Sequence, residues 1–188
     1  VSYLPHFLSA VIVCGMIRTL TTVDGGLVNA IVAAFGGEAI PFLGQPEWFR
    51  TIYTVSEVWQ SIGWESIVFI AAMTGIDKEL YEAAMVDGAG VMRRMWNITI
   101  PGIMPVITIM LILRVGSILN LGYEKVLLLY SPQVYSTADI ISTYVYREGV
   151  VNQNYSFAAA VNLFTSLISL VLVLGTNKIT KKMGQEGI

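Results

Sequence analysis

Residues 77–101 read DKELYEAAMVDGAGVMRRMWNITIP and separate two long apolar segments of the chain. They hold seven charged residues, whereas only 13% of the whole chain is charged. Asp77 can cap a helix N-terminus, and Glu79 and Glu82 follow where the helix dipole favours carboxylates. Gly88 can adopt the left-handed conformation that ends such a helix. The stretch therefore predicts a short helix with an alanine centre, held between two membrane spans and shaped to lie in a groove of a partner.

The composition is that of a membrane protein. Hydrophobic residues make up 55% of the chain and the mean hydropathy is +0.67, whereas about 25% of the residues of a soluble domain are charged. The net charge of −2 is small and argues against a nucleic-acid partner. Cys14 is the one cysteine of the chain, so it forms no internal disulfide. Because it lies in an apolar run, it is expected to be a small core residue.

The apolar runs predict an all-α fold, a polytopic transmembrane helical bundle with four spans. Each run is about as long as the roughly 20 residues that cross a bilayer. The predicted spans are residues 1–20, 54–76, 102–123 and 156–177. The segments 21–50 and 124–155 are predicted as loops, each with a short helix, at 26–35 and within 139–150.

The charges predict an orientation. Residues 77–101 and the C-terminal tail hold six Lys and Arg residues. The loops on the opposite side hold three, namely Arg50, Lys125 and Arg147. The positive-inside rule therefore places residues 77–101 and the C-terminus in the cytoplasm.

One face of the predicted second span is polar. Helical spacing brings together six residues, which are Glu57, Gln60, Ser61, Trp64, Glu65 and Val68. Ionisable groups inside a membrane face protein or water rather than lipid. One interpretation is the wall of a translocation path, with Trp64 able to stack on a sugar. The other is a structural ion pair with Arg114 of the third span, which also carries Asn120 near its outer end.

Motifs for catalysis or for binding cofactors and metals are absent from the sequence. It has no G-x-x-x-x-G-K-[ST] loop for nucleotide phosphates and no H-E-x-x-H. It has one histidine, His6, and no paired cysteines with metal-ligand spacing. We therefore predict no catalytic residue, no cofactor and no metal site. Energy for uphill transport must come from another subunit or from an ion gradient.

Glu82-Ala83-Ala84, followed by Gly88, Ile98 and Pro101, resembles the EAA loop of the permease subunits of binding-protein-dependent ABC importers. That pattern is E-A-A, three residues, G, nine residues, I, one residue, L and P. The sequence departs from it only in Ile100, where leucine is usual. Further segments resemble the polysaccharide and oligosaccharide branch of the family; these are Tyr3-Leu4-Pro5, Trp59…Gly63-Trp64, Ala71-Ala72…Gly75-Ile76-Asp77, Tyr144-Val145-Tyr146-Arg147 and Ser156-Phe157-Ala158-Ala159-Ala160. The resemblance covers nearly all 188 residues.

The resemblance implies a multi-pass permease of the bacterial cytoplasmic membrane that carries an oligosaccharide. It implies that residues 77–101 couple to an ABC ATPase dimer that binds the ATP. The coupling residues would be Glu82, Ala83, Ala84, Asp87, Gly88, Ala89, Ile98 and Pro101. The further partners are a second permease subunit, homologous or identical, and an extracytoplasmic solute-binding protein.

The path residues Glu57, Gln60, Trp64, Glu65, Arg114 and Asn120 are an expectation from the polar face rather than from the motif. Family members have about two more N-terminal spans, so the chain is expected to be N-terminally truncated from six spans. The alternative function is an ion-coupled secondary transporter that uses Glu57, Glu65 and Arg114.

Overall fold

The computed structural model describes residues 2–120, 122–182 and 184, except for the side chain of Asn120. Helices and the turns between them make up all of this described part, which confirms the predicted all-α class. The α-helices are α1 Ala10–Thr21, α2 Leu27–Ala34, α3 Pro46–Thr74, α4 Lys78–Val86, α5 Val91–Arg94, α6 Ile100–Ser117, α7 Tyr123–Leu129, α8 Tyr135–Ala138, α9 Ile141–Tyr146 and α10 Tyr155–Lys182. Short 3₁₀ and π turns join several of them.

The first predicted span, 1–20, is not one continuous helix. A 3₁₀ turn at Leu4–Phe7 ends at an extended Leu8, and α1 then begins after Ser9. The Ser9 hydroxyl accepts a hydrogen bond from the Ile12 N–H, as expected of an N-cap. With 12 residues, α1 is about 18 Å long and does not reach across a hydrocarbon core of about 30 Å.

The other predicted spans are helical with shifted bounds. Helix α3 begins at Pro46, eight residues before the predicted 54, because proline is well suited to a first helical turn. The third predicted span, 102–123, is instead the end of a continuous helical segment, Val91–Ser117. Pro101, the second residue of α6, lies inside this continuous segment. The last helix, α10, begins one residue before the predicted 156 and ends at Lys182.

Residues 124–155 are not the predicted loop, because three short helices and the start of α10 occupy most of this range. Helix α9 and the π turn Arg147–Val151 agree with the short helix expected within 139–150. The apolar residues Val126 and Leu129 recur at a spacing of three and are both buried. The sequence signal was present, but a run of seven residues was too short to separate from a loop.

The chain divides into two compact units, residues 1–63 with 119–163 and residues 64–118 with 164–188. In the first unit, α7 packs on α1 around a core of six buried residues, which are Cys14, Phe49, Val126, Leu129, Val134 and Ala138. The Arg18 guanidinium donates to the Leu128 carbonyl and closes the same contact. Cys14 is a core residue, as predicted. Phe49 is buried there as well.

The second unit exposes its apolar side chains. Only Thr165 and Thr180 of the 28 residues of α10 are buried, while Phe164 and Val171 are about two-thirds exposed. Helix α10 and the segment Val91–Ser117 are also the two helices in the described part that are long and apolar enough to cross a membrane. A surface of this kind is expected where a helix contacts lipid or a neighbouring membrane helix.

An ionic cluster stabilises the region between α7 and α10 in the first unit. The Arg147 guanidinium donates to the Asp139 carboxylate at 2.6 Å, and the Thr143 hydroxyl donates to the same carboxylate at 2.8 Å. Arg147 also lies 4.6 Å from the centre of the Tyr135 ring. Burial alone would raise the pKa of Asp139, but the hydrogen bonds from Arg147 and Thr143 and the charge of Arg147 outweigh it, so the pKa lies below its usual value.

We predict that Asp139→Asn lowers the free energy of unfolding at pH 7 by about 1–3 kcal/mol, because it removes charged hydrogen bonds in a half-buried site. A carboxylate whose pKa falls on folding stabilises the protein above its unfolded pKa of about 3.9, and this contribution is lost as the pH falls through the lower folded pKa. The difference between wild type and variant should therefore shrink below about pH 4. Thermal unfolding in detergent at several pH values measures it, with Glu148→Gln as the control. A difference that is unchanged at low pH would contradict the assignment.

Candidate functional site

The helix predicted within 77–101 is α4, and both of its ends are capped as expected. The Asp77 carboxylate accepts from the Glu79 N–H at 2.9 Å. At the other end, the Ala89 N–H donates to the Ala84 carbonyl at 2.8 Å and the Gly88 N–H donates to the Met85 carbonyl at 3.0 Å. This pair of bonds is a Schellman motif, and Gly88 has the left-handed φ of +73° that the motif requires. The caps define α4 as a separate, rigid short helix.

The helical turn before Pro101 is shaped by this proline. A proline at this position cannot donate to the carbonyl four residues earlier, and its ring crowds that carbonyl. The helix widens into a π turn at Met95–Thr99, in which the Ile100 N–H donates to the Met95 carbonyl five residues back. The Tyr81 hydroxyl is 2.9 Å from the Thr99 hydroxyl and connects α4 to this turn. The motif proline therefore shapes the helical segment that supports α4.

The charged residues of α4 and α5 have no ionic partner in the described part of the chain. The three ion pairs found there join Glu65 to Arg114, Glu57 to Lys125 and Asp139 to Arg147. None involves the charged side chains of residues 77–94, which are Asp77, Lys78, Glu79, Glu82, Asp87, Arg93 and Arg94. Helix α4 has no buried residue at all.

Large apolar side chains are exposed on the same segment. Val86 is 89% exposed and Trp96 is 63% exposed, and four further residues are more than half exposed, namely Leu80, Met85, Val91 and Met92. Among the predicted coupling residues, Glu82, Ala83, Asp87, Gly88 and Pro101 are exposed and Ala84, Ala89 and Ile98 are half-buried. We call residues 77–98 the α4 surface. The α4 surface combines charged groups that form no ion pair with exposed aliphatic and aromatic groups, and this combination is typical of a docking surface.

The polar face of α3 carries ion pairs. Glu65 accepts from the Arg114 guanidinium at 2.6 Å in the second unit, and Arg114 remains 55% exposed. The side chains of Glu65, Phe69, Arg114 and Ser117 line a depression of about 400 Å³. The expected contact between α3 and α6 is therefore formed. The depression beside the pair is compatible with the other interpretation, the wall of a translocation path.

The other predicted path residues have separate surroundings. Glu57 accepts from the Lys125 ammonium at 2.6 Å in the first unit, and the Gln60 amide donates to the Leu8 carbonyl at 2.9 Å. Trp64 is 44% exposed. The backbone of Asn120 forms the end of a 3₁₀ turn, and its side chain lies outside the described residues.

Sequence reasoning missed Lys125 and placed it in a solvated loop. It is only 5% exposed and its ammonium pairs with Glu57. An isolated lysine next to Val126-Leu127-Leu128-Leu129 was the available signal, because a cation beside an apolar helical run needs a counter-charge when that run is buried. The pairing could not be predicted, since it joins residues 68 positions apart.

Comparison with known proteins assigns the chain to a family. Residues 1–185 match the model of the binding-protein-dependent transport system inner membrane component. The chain belongs to this family. Members of this family are inner membrane components of transport systems and not enzymes, as the sequence predicted. The chain is therefore part of a multi-pass permease of the inner membrane, and the resemblance carried by Glu82, Gly88 and Pro101 is confirmed.

Curated relatives and solved structures extend the match over the full chain. The polygalacturonan/rhamnogalacturonan transport system permease protein YteP of Bacillus subtilis is 46% identical over 99% of the chain, and Protein LplB of the same organism is 45% identical. The structure of a bacterial alginate ABC transporter in complex with an alginate pentasaccharide-bound periplasmic protein has a TM-score of 0.97 and 43% identity over 100% of the chain. The chain spans 58% of the length of both curated relatives and 65% of that structure's chain.

For this inner membrane component we predict that Glu65→Ala and Arg114→Ala are each more damaging than the double substitution. Either single change leaves an unpaired charge in a membrane segment, whereas the double change removes both charges. The coupling energy should be about 0.5–3 kcal/mol, measured from the unfolding of the purified variants. Losses that simply add would show that the two side chains do not depend on each other.

Proposed function

We propose that the chain is the membrane-spanning part of a bacterial ABC importer whose α4 surface binds a separate ATPase subunit. The observation that carries the proposal is the lack of any ionic partner, within the described residues, for the charged groups of the α4 surface, next to exposed side chains such as Val86 and Trp96. A surface that combines these features needs a protein partner. Family membership and the motif residues Glu82, Gly88 and Pro101 support the same partner.

We infer that each coupling residue has a distinct part in this contact. Glu82 offers an exposed carboxylate for a basic group or backbone donor of the ATPase. Ala83 and Ala84 allow close approach, and Gly88 with Ala89 sets the turn after α4. Closure of an ATPase dimer would move α4 as a rigid body and rock the spans between two states. The Tyr81–Thr99 hydrogen bond supports the transmission of that movement to α6.

We propose that the α4 surface and the C-terminus face the cytoplasm, where the ATPase binds. Six Lys and Arg residues lie in these two segments. The opposite segments hold three, which are Arg50, Lys125 and Arg147. The bias of six to three favours this orientation. The four-span arrangement remains part of the proposal.

We propose an acidic oligosaccharide as the substrate. The relatives at 46% and 43% identity are named as a polygalacturonan/rhamnogalacturonan permease and an alginate transporter. Polygalacturonan and alginate are both acidic polysaccharides. Arg114 is exposed beside a depression of the second unit, so it could bind a sugar carboxylate. Trp64 could stack on a sugar ring. Glu57, Gln60, Glu65 and Asn120 would complete the path, and a periplasmic solute-binding protein would deliver the substrate to the pair of permeases.

The alternative of an ion-coupled carrier has less support. Its proposed ion-binding carboxylates, Glu57 and Glu65, each already have a cationic partner at 2.6 Å. A transported cation would therefore have to displace the side chain that each carboxylate already binds. The family is also defined by dependence on a binding protein rather than on an ion gradient.

We predict that Gly88→Trp and Glu82→Lys abolish co-purification of the ATPase and leave membrane insertion intact. A Cβ atom added at position 88 has no other atom within 4 Å in the described chain, so the position is open and a bulky side chain there would obstruct a docked partner. Gly88→Ala is the matched control, because it shares the strain of a positive φ without the bulk. It should retain most of the bound ATPase. Normal co-purification with both Gly88→Trp and Glu82→Lys would overturn the coupling assignment.

A further inference from the structure

A basic depression lies beside the C-terminal end of α4. Its volume is about 310 Å³, and it is lined by Ala84, Asp87, Ala89, Arg93, Arg94, Asn97 and Ile98. Four of these residues are predicted coupling residues, and the two alanines among them have short side chains. The two arginines belong to α5 and to no motif position, so the family pattern gives them no part in coupling.

The electrostatics of this depression are unbalanced. Two guanidinium groups face one carboxylate, and no ion pair within 4 Å joins Asp87 to either arginine. The Nε atom of Arg94 is buried and has no hydrogen-bond partner in the described part of the chain. The Asn97 amide does not satisfy it, since that amide donates to the Arg93 carbonyl at 2.7 Å. Because this Nε atom is enclosed by its own chain, an anion from outside would be attracted by the excess positive charge of the two guanidinium groups that line the depression.

We propose that the depression binds a carboxylate side chain, Asp or Glu, of the ATPase subunit. The planar guanidinium of Arg94 presents parallel donors that match a carboxylate, and Ala84 and Ala89 leave room for it to approach. The occupant comes from the ATPase because the depression shares Ala84, Asp87 and Ala89 with the surface that this subunit covers. This inference rests on the proposed function, and it adds an anion-binding site to the contact.

The added site would fix the orientation of docking. The acidic residues Glu79 and Glu82 lie on α4 itself, whereas the basic pair lies after it. A partner must therefore present a cation to one end of the α4 surface and an anion to the other. Charges arranged in this way exclude the reversed orientation, because it would bring like charges together.

Arg94→Lys places a lysine amine in the depression, and cross-linking of this amine can identify the group that binds there. A carbodiimide joins a lysine amine to a carboxylate in direct contact, and it does not join an arginine. We expect the Arg94→Lys permease, purified with its ATPase in lipid nanodiscs, to form a permease–ATPase cross-link that mass spectrometry locates at an Asp or Glu of the ATPase. The wild type, which has native lysines such as the exposed Lys178 but an arginine at position 94, should lack this cross-link.

The other outcomes separate this inference from the proposed function. If the ATPase co-purifies but the introduced lysine joins only Asp87 of its own chain, or nothing, the anion site is wrong and the docking of α4 stands. A cross-link to phosphatidylserine headgroups in nanodiscs that contain them would assign the pair to lipid and overturn the inference. If the wild-type permease binds no ATPase, the proposed function itself fails.

A binding titration gives an independent readout. Arg94→Gln should weaken ATPase binding by about tenfold or more, since it leaves the partner's carboxylate without its bidentate donor. Lys178→Gln, which removes one positive charge from an exposed position of α10 outside the α4 surface, should bind like the wild type. Equal affinities for the wild type and Arg94→Gln would contradict the inference, and normal membrane insertion of both variants would exclude misfolding as the cause of a loss.

Discussion

The pairing of charges separates the part of this chain that the membrane constrains from the part that a partner covers. An ionisable group within a membrane segment must find a counter-charge, because lipid cannot solvate it. In the four-span arrangement that we propose, Glu65 meets this requirement through Arg114, and Glu57 does so through Lys125, each at 2.6 Å. The charged residues of 77–94 lie between the second and third predicted spans and have no such pairs in the described chain. The same physical rule thus explains both the internal ion pairs and the open α4 surface.

A lipid environment also explains the arrangement of the apolar residues. Helix α10 buries Thr165 and Thr180 and exposes Phe164 and Val171, which would be unfavourable in water. In a bilayer the exposed apolar groups cost nothing, and polar groups are better placed against protein. The first unit differs, because Val126, Leu129 and Phe49 form a conventional apolar core around Cys14. Local packing in that unit resembles that of a soluble domain.

The short-range features were predictable from sequence. The Asp77 cap, the Gly88 turn and the alanine-centred helix depend on residues a few positions apart, and each is found where the sequence placed it. The long-range features were not. The sequence could not reveal that Lys125 lies against Glu57, nor that the chain before Ser9 breaks from α1. The π turn at Met95–Thr99 was not predicted either; it lets the helix continue through Pro101, a residue that would otherwise end it.

The central claim is that the α4 surface is covered by an ATPase in the working importer. Hydrogen–deuterium exchange of the assembled permease, with and without the ATPase, tests it most directly. The amides of Lys78–Val86 should exchange more slowly when the ATPase is present, since a helix that nothing covers opens readily and a docked one does not. The amides around Asp139 and Arg147 should not change. Equal exchange of α4 in both samples, at a concentration where the ATPase is bound, would contradict the account.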